Sequence, residues 1–273
     1  MIHLGLIGYP LGHSLSPKIH TAALKACGLR GDYSLFPIHL DDKQGLKKLL
    51  AHVRSCEITG LNVTIPHKQN VIELMDELTP TAKAVGAVNT IYLRDEKLVG
   101  DNTDAPGFLS DLKKFMGHRE LEMGKSALVL GAGGSARAVV YALLNDDWNV
   151  TISARRIEQA QELSKQFEGL NVAELNFQTF QLLNSQLIVN TTPLGMTPNV
   201  NQSPWPEKLP FPNAVIYDLV YNPYETKLVK DARAQGLSAT TGLGMLIEQA
   251  ALAFEKWTGH NPPRDVLCTS VVE

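Results

Sequence analysis

The stretch "SALVLGAGGSARAVVYALL", residues 126–144, decides how this chain is read. A short apolar run ends in glycines, and a helical pattern follows at once. Gly131, Gly133 and Ala136 fit the spacing G-x-G-x-x-G/A directly after a strand and at the start of a helix. Gly131 permits a tight turn, Gly133 lets backbone approach a pyrophosphate, and Ala136 allows close packing of helix on strand. The helix N-terminus adds unpaired N–H groups and a positive dipole end. A lone glycine turn is common in α/β proteins, but this context predicts a dinucleotide site.

The strand that follows, "NVTIS" at 149–153, identifies the dinucleotide. An NAD site usually ends this strand with an acid that holds the ribose 2′-hydroxyl. Here the strand runs into Ala154, Arg155 and Arg156. Guanidinium groups suit a 2′-phosphate by charge and by paired hydrogen bonds. Two arginines at a helix start oppose the helix dipole, so a bound anion is the better reason for them. The expected cofactor is NADP.

The bulk properties agree with a small-molecule enzyme. At 273 residues, 44% hydrophobic and 19% charged, the chain has the composition of a folded protein of one large or two ordinary domains. No apolar run reaches membrane-spanning length, and "MIHLGLIGYP" lacks a basic leader, so no membrane partner and no secretory signal are expected. A net charge of −3 without a basic run argues against nucleic acid. The three cysteines form no C-x-x-C pair and the eight histidines show no ligand spacing, which predicts reduced thiols, a cytoplasmic location and no metal.

Strand and helix patterns alternate along the chain, which reads as α/β with a largely parallel sheet. "LGLIG" (4–8) is a first strand, followed by a helix with Ser16 as N-cap, Pro17 at its first position and Ile19, Ala22, Ala23 and Ala26 on one face. Leu46, Leu49, Leu50 and Val53 give a second helix an apolar stripe behind an aspartate cap. "ITGLNVTI" (58–65) reads as a strand, with Pro66 opening the helix "HKQNVIELMDEL". "AVNTIYLRDEKLVGDNTD" reads as two short strands about a turn at Asp95–Lys97. A helix runs from Asp104 to Phe115, and a domain boundary falls near Asp104 to Gly107. Glycines at 107 and 242 suggest hinge positions.

A set of polar residues gathers in the first half. Asn62 and Thr64 share one side of a strand, and Lys68 follows in the first turn of the expected helix. A lysine facing a positive dipole end is poorly placed as decoration and well placed as a proton donor. Asp104 in "GDNTDAPG" is its candidate partner. A solvent-exposed lysine on a helix is an equally open reading of the same residue. Ser14, Ser16 and Asn89 add hydroxyl and amide groups on loops at strand ends. On spacing alone this describes an NADP-dependent enzyme with a polar substrate.

The ordered segments "GHSLSP", "GLNVTIPHK", "GAVNT", "GDNTDAPGF", "GAGGSAR", "NTTPLGM", "DLVYNP" and "GLGMLIEQAA" resemble the shikimate dehydrogenase family over essentially the whole chain. The resemblance implies reversible, NADP-dependent reduction of 3-dehydroshikimate to shikimate on the route to aromatic amino acids. It implies a catalytic pair at Lys68 and Asp104, with substrate contacts from these two and from Ser14, Ser16, Asn62, Thr64, Asn89, Tyr221 and Gln249. It places the phosphate loop at Gly131, Ala132, Gly133, Gly134, Ser135 and Ala136, and the 2′-phosphate clamp at Arg155 and Arg156. Asn190, Thr191, Met196, Leu219, Gly242 and Met245 would line the rest of the cofactor channel.

The implied fold is α/β in two domains with a cleft between them. One is a mixed α/β substrate domain, residues 1–104 plus 244–273. The other is a Rossmann-type doubly wound parallel-sheet NADP domain, residues 105–243. The implied assembly is a monomer or homodimer whose partner is the small-molecule substrate. In one departure, Ala154 stands where the family commonly has asparagine, which removes one polar contact near the adenosine. A relaxed quinate/shikimate dehydrogenase and a non-catalytic shikimate sensor are the rival readings.

Overall fold

A computed structural model describes residues 1–117, 124–174, 185–207 and 209–272. The chain divides into two compact units, Met1–Gly107 with Leu246–Glu273, and Phe108–Met245.

The first unit holds strands β1 (Ile2–Gly8), β2 (Gly31–Pro37), β3 (Gly60–Val63), β4 (Glu77–Leu78), β5 (Thr90–Arg94) and β6 (Lys97–Asp101) in the order β2-β1-β3-β5-β6-β4. β1 pairs in parallel with β2 and β3, whereas β3/β5 and β5/β6 are antiparallel. The sheet is therefore mixed. Ile7, Leu61, Val63, Ile91 and Leu98 supply its buried side chains. Against them pack Leu46, Leu49, Leu50 and Val53 of helix α2 (Lys43–Arg54), which follows α1 (Ser16–Ala26) in the chain. Asp42 caps α2 by accepting the Gly45 N–H at 2.8 Å, as the sequence predicts. The β5/β6 hairpin turns through Asp95 and Glu96, both at positive φ, in the predicted place.

Two local expectations differ. β3 ends at Val63, and no α-helix follows Pro66; the chain turns, makes one 3-10 turn at Ile72–Leu74 and extends into β4. The apolar spacing from Val71 to Leu78 suits a helix, but pairing at a sheet edge wins. The Asp76 N–H donates to Leu98 O at 2.9 Å, and its carboxylate accepts the Leu98 N–H at 2.8 Å. The helix of this region comes later, as α3 (Pro80–Val85), with Thr79 as cap and left-handed Gly86 after its end. "TP…G" was the readable signal. In α1 the entry residue is Leu15, without a side-chain cap, and the buried face is Ile19, His20, Ala23 and Leu24, with Ala26 exposed.

Helix α4 (Asp104–Met116) carries the chain into the second unit. There β7 (Ser126–Leu130), β8 (Asn149–Ser153), β9 (Asn171–Val172), β10 (Leu187–Asn190), β11 (Val215–Asp218) and β12 (Ala239–Thr241) take the order β12-β11-β10-β7-β8-β9, and every pair is parallel. This is the doubly wound arrangement. Its topological switch lies between β7 and β10, where open parallel sheets bind ligands beyond the strand C-termini. α5 (Gly134–Leu144) and α6 (Ile157–Ser164) follow β7 and β8. The helix Lys227–Ala234 packs Leu228, Val229 and Ala232 against Leu130, Ile188 and Ile216. The helix Leu243–Thr258 returns the chain to the first unit.

The glycines at 107 and 242 are explained by packing. A Cβ on Gly107 would lie 2.8 Å from the Gln249 backbone nitrogen, and one on Gly242 would run into Leu219 O. Each lets two backbones touch.

Candidate active site

Lys68 Nζ lies 2.7 Å from Asp104 Oδ2, with only 14% and 8% of the two side chains exposed. Lys68 stands in the turn after β3, so no helix dipole acts on it there; its carbonyl accepts the Val88 N–H at 2.8 Å. Asp104 opens α4, where a carboxylate suits the positive end of the helix. Asn89, just before β5, donates from Nδ2 to Asp104 Oδ1 at 2.9 Å and to Thr103 Oγ1 at 3.0 Å. Its Oδ1 accepts the Thr103 N–H at 2.8 Å. One carboxylate oxygen is thus held by an amide and the other by the ammonium. Gln249 Oε1 lies 3.4 Å from Asn89 Nδ2 and completes the cluster.

The hydroxyl and amide residues join the same network. The Asn62 amide donates to Asn89 O at 3.3 Å and accepts the Tyr33 hydroxyl at 2.8 Å. Thr64 is half-buried, and its hydroxyl has no hydrogen-bond partner among the described residues. Ser14 Oγ accepts the Ser16 N–H at 3.2 Å, so Ser16 is not the cap expected from the sequence. Its own hydroxyl is not committed to the helix end, and it opposes the rise that burial gives the Tyr33 phenol. Eight of the expected substrate residues therefore lie in the first unit, while Tyr221 belongs to the second.

In the second unit the glycine loop has the geometry its sequence requires. Gly131 adopts φ +104°, and a Cβ there would lie 2.7 Å from Thr191 Oγ1. Gly133 is the N-cap of α5 with no side-chain cap, and a Cβ on it would meet nothing within 4 Å. The space above the loop is open and the first N–H groups of the helix are uncapped by any side chain. Ala132 lies in the loop and Gly134 and Ser135 begin α5, while Ala136 is fully buried. Leu130 pairs with Ser153 in register, which brings Arg155 and Arg156 to the same sheet end as the loop. Both arginines are exposed, and neither side chain has a hydrogen bond or ion pair among the described residues. This donor set fits a dinucleotide diphosphate with a further phosphate on its ribose.

Asn190 and Thr191 serve the loop itself. Asn190 Nδ2 donates to Asp218 Oδ1 at 2.8 Å, and its Oδ1 accepts the Thr192 hydroxyl at 2.7 Å. Thr191 donates its hydroxyl to Leu130 O at 2.8 Å. Asp218, fully buried, also accepts the Thr226 hydroxyl at 2.7 Å and the Val220 N–H at 3.0 Å. Burial raises its carboxyl to about 6, with those donors opposing. The Leu219 N–H donates to Asn190 O at 2.9 Å, Met245 is buried, and Met196 is 46% exposed. Burial raises the Tyr221 phenol above its ordinary value.

The sequence reading names neither Tyr33 nor Asp218 as a site residue. A charged residue closing the apolar run "VIYD" was a signal for Asp218. Nothing local marks Tyr33.

Three family profiles match the chain. They are described as the shikimate dehydrogenase substrate binding domain over residues 6–91, shikimate/quinate 5-dehydrogenase over 116–204, and the shikimate 5′-dehydrogenase C-terminal domain over 242–267. A shikimate dehydrogenase (NADP(+)) of Carboxydothermus hydrogenoformans is 43% identical over 269 residues, 96% of this chain and 94% of that one. The shikimate 5-dehydrogenase of Thermus thermophilus, solved with NADP(H) and shikimate, is 38% identical with a TM-score of 0.88, covering 99% of this chain and 98% of that one. A quinate dehydrogenase of Corynebacterium glutamicum, solved with NAD, is 30% identical with a TM-score of 0.89, covering 99% and 98%.

Proposed function

The chain belongs to the shikimate dehydrogenase family, and from that premise we propose how its residues divide the work. It is an NADP-dependent oxidoreductase that interconverts 3-dehydroshikimate and shikimate. The unit Met1–Gly107 with Leu246–Glu273 takes the substrate, and Phe108–Met245 takes the cofactor. The glycine loop and the uncapped start of α5 hold the diphosphate. Arg155 and Arg156 hold the 2′-phosphate. NADPH, when bound, supplies the hydride that reduces the ring ketone.

Lys68 donates the proton that the ketone oxygen needs as it becomes an alcohol. Asp104 holds the ammonium at 2.7 Å, and Asn89 fixes the carboxylate that does so. Ser14, Ser16, Asn62, Thr64, Asn89, Gln249 and Tyr221 bind the hydroxyls and carboxylate of the ring and orient the ketone toward Lys68. In shikimate oxidation the neutral Lys68 amine takes the proton back from the alcohol and becomes the ammonium again. General acid–base catalysis of this kind contributes about 10²–10⁴-fold to rate.

The observation that carries this reading is the nearly buried Lys68–Asp104 pair inside a cluster of amide and hydroxyl groups. The test is NADP-dependent oxidation of shikimate by the purified protein, with quinate and NAD as parallel substrates. Among the described residues no helix is long and apolar enough to cross a membrane. The net charge of −3 suits a small-molecule enzyme, and we place the protein in the cytoplasm.

A further inference from the structure

We propose that Tyr33 is a positioning residue for substrate binding: its buried phenol locks the Asn62 amide so that Asn62 presents an N–H to the ligand. Tyr33 lies in mid-strand on β2, in register with Leu4, while Asn62 on β3 is in register with Leu6. The phenol therefore reaches across β1, and its hydroxyl donates to Asn62 Oδ1 at 2.8 Å. The Asn62 amide is itself only 5% exposed.

The orientation of that amide is determined by chemistry. Asn89 O, 3.3 Å from Asn62 Nδ2, can only accept, so it must face an N–H. Oδ1 then points at Tyr33, and the second N–H is the donor left for a ligand. A ring hydroxyl or carboxylate meeting Asn62 is consequently met as an acceptor. Without the phenol hydroxyl, Oδ1 loses the donor that fixes it and the amide is freer to turn.

Tyr33 is held in turn by aromatic packing. The His20 ring stacks on it with centroids 4.5 Å apart and planes 4° from parallel, backed by Trp257 at 5.3 Å. Both ring nitrogens of His20 are buried without a hydrogen-bond partner. Burial lowers this histidine to about 3, opposed in part by the Asn62 side chain, so the stack is between uncharged rings. Burial also raises the Tyr33 phenol far above its ordinary value, with Ser16 opposing, so the hydroxyl keeps the proton it donates.

This inference rests on Asn62 binding substrate, and the experiment separates the two claims. Dissociation constants for shikimate and NADP are measured by titration calorimetry on the whole protein, for Tyr33→Phe, Asn62→Ala and the double variant. Losing one neutral hydrogen bond predicts that Tyr33→Phe weakens shikimate by about 5- to 10-fold, with NADP unchanged. In the Asn62→Ala background the same substitution should add nothing, because Tyr33 acts through Asn62. An undiminished effect of Tyr33→Phe in that background, no effect on shikimate, or equal loss for NADP would overturn the proposal. Unchanged shikimate affinity in Asn62→Ala alone would instead overturn the assignment of Asn62 to the substrate site, and this inference with it.

Discussion

Asp104 holds the Lys68 ammonium at 2.7 Å on one carboxylate oxygen and the Asn89 amide at 2.9 Å on the other. The pair is nearly buried, so its partners depend on each other: removing one leaves a charge in poor solvent. Asp104→Asn should lower unfolding free energy by about 3 kcal/mol, the range for breaking a buried pair. It should also abolish most turnover. Lys68→Met combined with Asp104→Asn removes both charges and should recover much of the stability while activity stays lost. Urea unfolding beside steady-state rates separates the two effects, and a double variant no more stable than Asp104→Asn would count against a coupled pair.

Gly131 and Gly133 of the phosphate loop predict opposite behaviour. Gly131→Ala forces a side chain to φ +104° and into Thr191 Oγ1, so the fold should lose about 1–3 kcal/mol. A Cβ on Gly133 meets no protein atom within 4 Å, so Gly133→Ala should melt like the parent protein. It should nevertheless bind NADP more weakly, because the methyl occupies space meant for the diphosphate. Thermal unfolding and NADP titration on both variants check this, and a Gly133→Ala protein with parental NADP affinity would remove the diphosphate from the loop.

Arg155 and Arg156 are exposed and unpartnered among the described residues, so changing them costs the fold little. Replacing both by alanine should raise KM for NADP by about 10- to 100-fold, the range expected when hydrogen bonds to a charged group are lost. KM for NAD should hardly move. Raising salt should narrow the gap between parent and variant for NADP, since the lost contacts are between charges. Equal losses for both cofactors would place the arginines elsewhere than at the 2′-phosphate.

His20 makes the fold acid-sensitive. Its ring is held neutral, with burial lowering it from 6.5 to about 3. The unfolded chain takes up this proton below about pH 6.5 and the folded chain does not, so the contribution is present above that pH and is lost as pH falls toward 3. Between pH 7.5 and 5 the loss should be on the order of 2 kcal/mol. His20→Phe keeps an aromatic ring on Tyr33 and cannot titrate. Its stability should fall less over the same interval, as read by chemical unfolding at each pH, and parallel curves would show that His20 is not responsible.

Features set by neighbours in sequence are legible in the sequence itself. The β7–loop–α5 unit, the Asp42 cap and the β5/β6 hairpin each rest on residues a few positions apart. The segment after Pro66 is not, because its helical spacing gives way to pairing with β6 more than twenty residues on. The site shows the same division. Lys68, Asp104 and Asn89 stand out as polar groups at strand and helix ends. Tyr33 does its work through a partner 29 residues away and no local pattern marks it, whereas Asp218 shows in the sequence only as a charge closing an apolar run, with its Asn190 partner 28 residues away. Ser16 does not cap its helix, because Ser14, two residues earlier, takes the Ser16 N–H.

The central claim is that Lys68 supplies the proton in NADP-dependent interconversion of 3-dehydroshikimate and shikimate. Steady-state oxidation of shikimate with NADP, measured for the parent protein and Lys68→Ala, tests it most directly. The account predicts turnover in the parent and a kcat lower by about 10²–10⁴-fold in the variant, with KM for shikimate changed little. A variant that keeps its kcat and loses only KM would show that Lys68 binds the substrate without transferring the proton.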